Sequence, residues 1–249
     1  MEPGDERANG AANFNTTHWT IVLACSSQGD SARAREALAT LFQTYWYPLY
    51  AYVRRRGYGE QDAEDIVQAF CLFLHEKHAI EKADRQRGKF RTFLLSSLQN
   101  FLANENERAR AQKRGGGREL IRLDAEEADA RYQLEPAHRV TPETIFERRW
   151  AYALLEQTVS GMRADFITRG KKRLFDGLSS FLTSDLRETT YQTAADQLGL
   201  PLSAVKTTVH RMRRDYRARL LEEIGRTVSS PDEVDEEFRY LRRVLASSA

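Results

Sequence analysis

Asp62, Glu64 and Asp65 place three carboxylates within one short stretch, and Cys71, His75 and His78 follow close behind. Clustered carboxylates are the raw material of a metal-dependent nuclease, and a thiol with two imidazoles is that of a zinc site. The spacing argues against both. Only Asp62 and Asp65 share a helix face, and no companion cluster of Asp, Glu or His accompanies them nearby. Cys71 falls on the apolar stripe of its own segment, which makes it a core thiol. No catalytic group, metal or other cofactor is expected.

The remaining chemistry is cationic. Basic residues gather in 82–91, 108–118 and 206–219, acidic ones in 62–65, 124–135 and 232–237. With 38 Lys plus Arg against 36 Asp plus Glu the net charge is only +2, so the distribution carries the information. Separate surfaces for an anionic and a cationic partner are expected. In "RGKFRTFLLSSLQNFLANENERARAQKR", residues 87–114, apolar positions at helical spacing (Phe90, Phe93, Leu94, Leu98, Phe101) seat a helix in a core, and cations flank it at both ends.

At 249 residues and 41 % hydrophobic content the chain can bury real cores. Two distant cysteines fit a reducing compartment. A polar N-terminus without an apolar run, and the lack of a membrane-length segment, lead us to expect a cytoplasmic protein with no membrane partner.

The elements that position these residues read as all-α. Residues 1–30 are expected to form a partly disordered extension. Apolar periodicity predicts a helix from Asp30 or Ser31 to about Arg56, bent or restarted at Pro48, then helices over 61–78 and 90–112. Three glycines and an acidic stretch mark a linker at 115–141, and Thr141-Pro142 marks a helix start. A second domain over 142–226 holds helices at about 142–161, 163–184, 190–198 and 203–224. The tail, 227–249, carries an amphipathic helix (Val234, Phe238, Leu241, Leu245) expected to pack on that domain.

On the 61–78 helix, Glu64, Asp65, Gln68, Leu72 and Glu76 fall opposite the apolar stripe. Leu72 among carboxylates has the makings of a docking site, an apolar anchor in a polar rim. In "YQTAADQLGLPLSAVKTTVHRMRRDYRARL" a small Ala195, then Gly199 four residues on and Val205 six further, has the spacing of a helix-turn-helix with Ser203 as N-cap. Its second helix would turn Ser203, Ala204, Lys206, Thr207, Thr208 and His210 toward base edges or phosphates, and Arg211, Arg213 and Arg214 toward phosphates.

Together these features resemble an extracytoplasmic-function (ECF) sigma factor of a longer subgroup with N- and C-terminal extensions. "YAYVRRRGYGEQDAEDIVQAFCLFL" resembles the polymerase-binding region of that family, "GKFRTFLLSSLQN" its promoter-melting region and "YQTAADQLGLPLSAVKTTVHRMRR" its upstream-element reader. Phe93 departs from the family, many of whose members have Trp there. The resemblance implies a non-enzymatic initiation factor whose partners are core RNA polymerase and promoter DNA, as duplex and as melted strand, with an anti-sigma protein or other regulator besides. It implies a region 2-like domain over 31–114 and a region 4-like domain over 142–226. It also implies that Asp62, Glu64, Asp65, Gln68 and Leu72 meet the polymerase. Arg85, Gln86, Arg87 and Lys89 would hold a base from the downstream element, Thr92, Ser96, Gln99 and Asn100 would line the opened strand, and Arg108, Arg110, Lys113 and Arg114 would meet phosphates. A stand-alone helix-turn-helix regulator is the competing expectation; it leaves the acidic face unemployed.

Overall fold

The computed structural model describes residues 31–76, 89–111, 131–132, 140–182, 188–228 and 230–246. The N-terminal extension, the loop carrying Arg85, Gln86 and Arg87, most of the expected linker, and Lys113 and Arg114 lie outside the described residues.

The fold is all-α, with no strand among the described residues. Among the described residues eight helices are delimited, in order: α1 (Ser31–Arg55), α2 (Glu60–Glu76), α3 (Phe90–Ala111), α4 (Pro142–Thr168), α5 (Lys172–Leu178), α6 (Glu188–Leu198), α7 (Leu202–Gly225) and α8 (Val234–Ala246). Short 3-10 turns occupy Ser179–Leu182 and Pro231–Glu233. No described helix is long and apolar enough to cross a membrane.

Of the two outcomes expected at Pro48, a bend or a restart, the helix does not restart; α1 runs through it. An internal proline costs about 3 kcal/mol. Tyr45, Leu49, Tyr50, Tyr52 and Val53, on both sides of it, are all wholly buried. Each such side chain contributes about 1.5–3 kcal/mol, so packing outweighs the local penalty.

The expected break near residue 162 is also absent, and α4 passes through Gly161 to Thr168. A Cβ at Gly161 would lie 3.5 Å from the Arg219 guanidinium, so the glycine marks where α7 draws close. The helix stops at Gly170, whose φ of +68° suits a residue without a side chain. There Gly170 N–H donates to Ile167 C=O and Lys171 N–H to Phe166 C=O, tying off the last carbonyls. The expected 163–184 helix is therefore divided into the end of α4, α5 and a 3-10 turn. The other end of α4 is capped as expected, with Pro142 in its first turn and Thr141 Oγ1 accepting from Thr144 N–H at 3.1 Å.

Two apolar cores result. The first joins α1, α2 and α3 to Phe146, Trp150, Ala151 and Leu154 of α4, Leu220 and Ile224 of α7 and Leu241 of α8. The second gathers Met162, Phe175, Leu178 and Phe181 with Ala194, Ala195, Val205, Val209 and Met212. The long helices α4 and α7 enter both. Tyr132, from the expected linker, meets the first core edge-on against Tyr50, with the Arg54 guanidinium 5.0 Å from its ring. The tail helix α8 packs on α4 and α7.

Candidate nucleic-acid and protein interfaces

The acidic face lies on α2. Glu60 and Asp62 stand in its first turn, where the helix dipole favours negative charge. Ala63, Val67, Phe70 and Leu74 turn inward and are buried, leaving Asp62, Asp65 and Leu72 exposed; Leu72 keeps 37 % of its surface. Glu64 is half-buried and accepts a 2.9 Å hydrogen bond from Gln68 Nε2. Gln68, expected on the outward face, is in fact 7 % exposed, because it lies beside Val67 on the edge of the apolar stripe. It fixes the Glu64 carboxylate rather than facing outward.

Burial pushes the Cys71 thiol far above its usual range, leaving it protonated and packed. Among the described residues no three His, Cys, Asp or Glu side chains come together to hold a metal. His75 is exposed on α2, and His78 lies outside the described residues.

α3 is seated by its phenylalanines. Phe90 meets the Tyr45 ring edge-on at 5.6 Å, Phe101 lies 5.6 Å from Phe70, and Phe93, half-buried, rests 5.9 Å from Phe90. Thr92, Ser96 and Asn100 face outward and are exposed. Gln99 is occupied: its Nε2 donates to Tyr52 Oη at 3.2 Å and to Glu143 of α4 at 3.3 Å. Arg108 and Arg110 lie on the last turns of the same helix.

The head of α3 holds a residue that sequence reasoning counted among the cations but gave no role. Arg91 is 4 % exposed, bonded through Nε to Glu147 of α4 at 2.8 Å and through Nη1 to Glu237 of α8. Its guanidinium lies 4.2 Å from the Trp150 ring centroid and 4.8 Å from that of Tyr240. Burial works against its charge, and the Glu147 and Glu237 carboxylates more than offset that, holding its pKa above the ordinary value. Lys89 is paired with the other oxygen of Glu237. The readable signal was Glu237 itself, a carboxylate on the stripe of Val234, Phe238 and Leu241.

The cationic helix of the second core is α7. Ala195 and Val205 are buried where α6 and α7 cross, and Gly199 takes φ +68° in the turn between them. Leu200 N–H returns to Ala195 C=O at 3.0 Å and Gly199 N–H to Asp196 C=O at 3.3 Å. Ser203 is not the N-cap. Pro201, with φ −59° and ψ 142°, holds that position, so α7 begins one residue before Ser203, which lies within its first turn.

Val209 and Met212 face the core, whereas Ser203, Lys206, Thr207, His210, Arg211 and Arg214 are exposed. Ala204 and Thr208 are half-buried; the Thr208 hydroxyl donates to Ala204 C=O at 2.7 Å, and that of Thr207 to Ser203 C=O at 2.9 Å. Tyr191 of α6 joins Lys206, Val209, His210 and Arg213 around an open groove of about 350 Å³. Arg213 Nε donates to Phe181 C=O at 2.9 Å, which orients the side chain along the groove.

Comparison with known proteins gives one finding. Residues 41–114, from within α1 to just past the end of α3, match the family model described as Sigma-70 region 2. Neither the curated proteins nor the solved structures give a match. The region 2 match supports a sigma factor role in RNA polymerase binding and promoter melting, with core polymerase and promoter DNA as the partners that such a domain implies.

Proposed function

We propose that the chain is an ECF-type sigma subunit that binds core bacterial RNA polymerase through the outward face of α2 and directs it to promoters by two separate DNA surfaces. One observation carries the reading: the region 2 match covers a helix on which Asp62, Glu64 and Asp65 accompany an exposed Leu72. An apolar anchor ringed by carboxylates suits a basic protein surface with an apolar pocket. Gln68 serves this face indirectly, through Glu64.

The downstream surface is the head and outer side of α3. Arg85, Gln86, Arg87 and Lys89 capture an unpaired base and its phosphates, Thr92, Ser96, Gln99 and Asn100 line the strand, and Arg108, Arg110, Lys113 and Arg114 hold the backbone. Strand opening needs no catalytic group. A surface that binds single strand better than duplex shifts the population toward the opened state.

The upstream surface is α7, read as the second helix of a helix-turn-helix. Ser203, Ala204, Lys206, Thr207, Thr208 and His210 approach base edges in the major groove, and Arg211, Arg213 and Arg214 meet phosphates.

The test is run-off transcription with purified core polymerase on a genomic promoter library, with an Asp65→Arg plus Leu72→Ala variant beside the wild type. Transcripts that require the wild type and vanish with the variant are expected. Duplex binding without any stimulation of core polymerase would instead assign a stand-alone regulator.

A further inference from the structure

At the head of α3 the cations already have an anion. Glu237 of α8 is wholly buried, one carboxylate oxygen paired with Arg91 and the other with Lys89. One turn further along α8, the Tyr240 ring lies 4.8 Å from the Arg91 guanidinium and 5.4 Å from the Lys89 ammonium. An anion with two oxygens on two cations, beside an aromatic face, is the same chemistry that a nucleotide offers through its phosphate and base.

Packing alone does not account for Glu237. It interrupts the apolar stripe of Val234, Phe238 and Leu241, and a buried ion pair is often no more stabilising than an apolar side chain of the same volume. A purely structural contact between α3 and α8 could therefore be made by apolar residues at both ends of the pair, with no buried charge. The rest of α8 is lightly held: Asp235, Glu236, Arg239, Arg242 and Arg243 are exposed, and Leu241 is its one fully buried apolar side chain.

We propose that α8 is an autoinhibitory strap, in which Glu237 and Tyr240 occupy the place of a nucleotide against Lys89 and Arg91, keeping the free chain closed to the displaced DNA strand until α8 is withdrawn. This rests on the reading of the α3 head as the strand-holding surface.

The test uses the full-length chain and a fluorescently labelled single-stranded oligonucleotide, followed by anisotropy. Glu237→Gln keeps the shape and removes the charge, and it is expected to bind about tenfold tighter than wild type, a typical coupling between two sites. Adding Lys89→Ala to Glu237→Gln is expected to remove the gain. A Glu237→Gln protein with native circular dichroism and unchanged affinity would overturn the strap.

A variant-free measurement covers the case of misfolding. Amide hydrogen exchange of residues 234–246 is compared in the free wild-type chain and in its complex with core polymerase on premelted promoter DNA. Protection is expected to fall in the complex. Full protection of α8 with the promoter bound would overturn the strap and leave the proposed function standing, whereas failure of the wild type to load polymerase on premelted DNA would overturn both.

Discussion

Glu147 sets part of the pH response at the scale of single residues. Burial raises its pKa, and the Arg91 guanidinium and the Tyr240 hydroxyl, which lower it, offset only part of that, with the Glu237 carboxylate adding slightly to the rise. In the unfolded chain the same group titrates in the ordinary carboxylate range, so between the two values the folded state holds more protons. Stability contributed by Glu147 is thus greatest below that window and falls as pH rises through it. The expected outcome is that the stability difference between wild type and Glu147→Gln, from urea unfolding at stepped pH, declines across the window; a difference that grows with pH would refute the assignment. Glu223 is raised for the same first reason, burial, and is subject to the same sign. Little of this network was legible in the sequence. Glu237 stands out on an apolar stripe, but its partner Arg91 is 146 residues away and Glu147 lies a further helix apart, and spacing along a chain says nothing about such meetings.

Helix ends were the most readable elements because their causes are local. Thr141-Pro142 starts α4 and Gly199 ends α6 as expected, each by a hydrogen bond that its own neighbours supply. Gly161 misled for the converse reason: it disfavours a helix on its own, and the burial of residues on both sides decides the matter, as it also does at Pro48, where α1 continues without a restart. The apolar stripes of α2 and α3 needed only periodicity, whereas Gln68 was misjudged as outward because packing settles a side chain's surroundings at the margin of a stripe. Gly199 offers a clean test of the turn before α7. No atom lies within 4 Å of where its Cβ would be, so Gly199→Ala adds no clash and only the positive φ is penalised. A loss of about 1 kcal/mol in thermal or urea unfolding is expected. No loss at all would mean that the turn does not require the left-handed conformation.

At the scale of the whole molecule, α4 and α7 each contribute to both cores, so neither core can come apart without disturbing a helix that the other holds. Charge and glycine composition divided the chain into 31–114 and 142–226 with a linker between; which helices of the two meet, through contacts that join residues far apart in sequence, was beyond composition and periodicity. One cooperative transition is expected on unfolding. Trp46 and Trp150 sit in the first core, no tryptophan is among the described residues of the second, and Trp19 lies outside the described residues, so in a Trp19→Phe chain tryptophan fluorescence follows the first core and far-ultraviolet circular dichroism follows both. Coincident curves are the expected result, and fluorescence that changes at a different urea concentration from dichroism would show the cores to be independent. The span of α7 has one further consequence. A helix is a ruler of fixed length, and the 24 residues of α7 measure about 36 Å from the cationic turn in one core to Ile224 in the other. Under the proposed function, two promoter elements two turns of DNA apart stand roughly 70 Å from each other, about twice that length. On that reading, a helix fastened into both cores limits how far the two DNA surfaces can part, and release from one core would lengthen the reach.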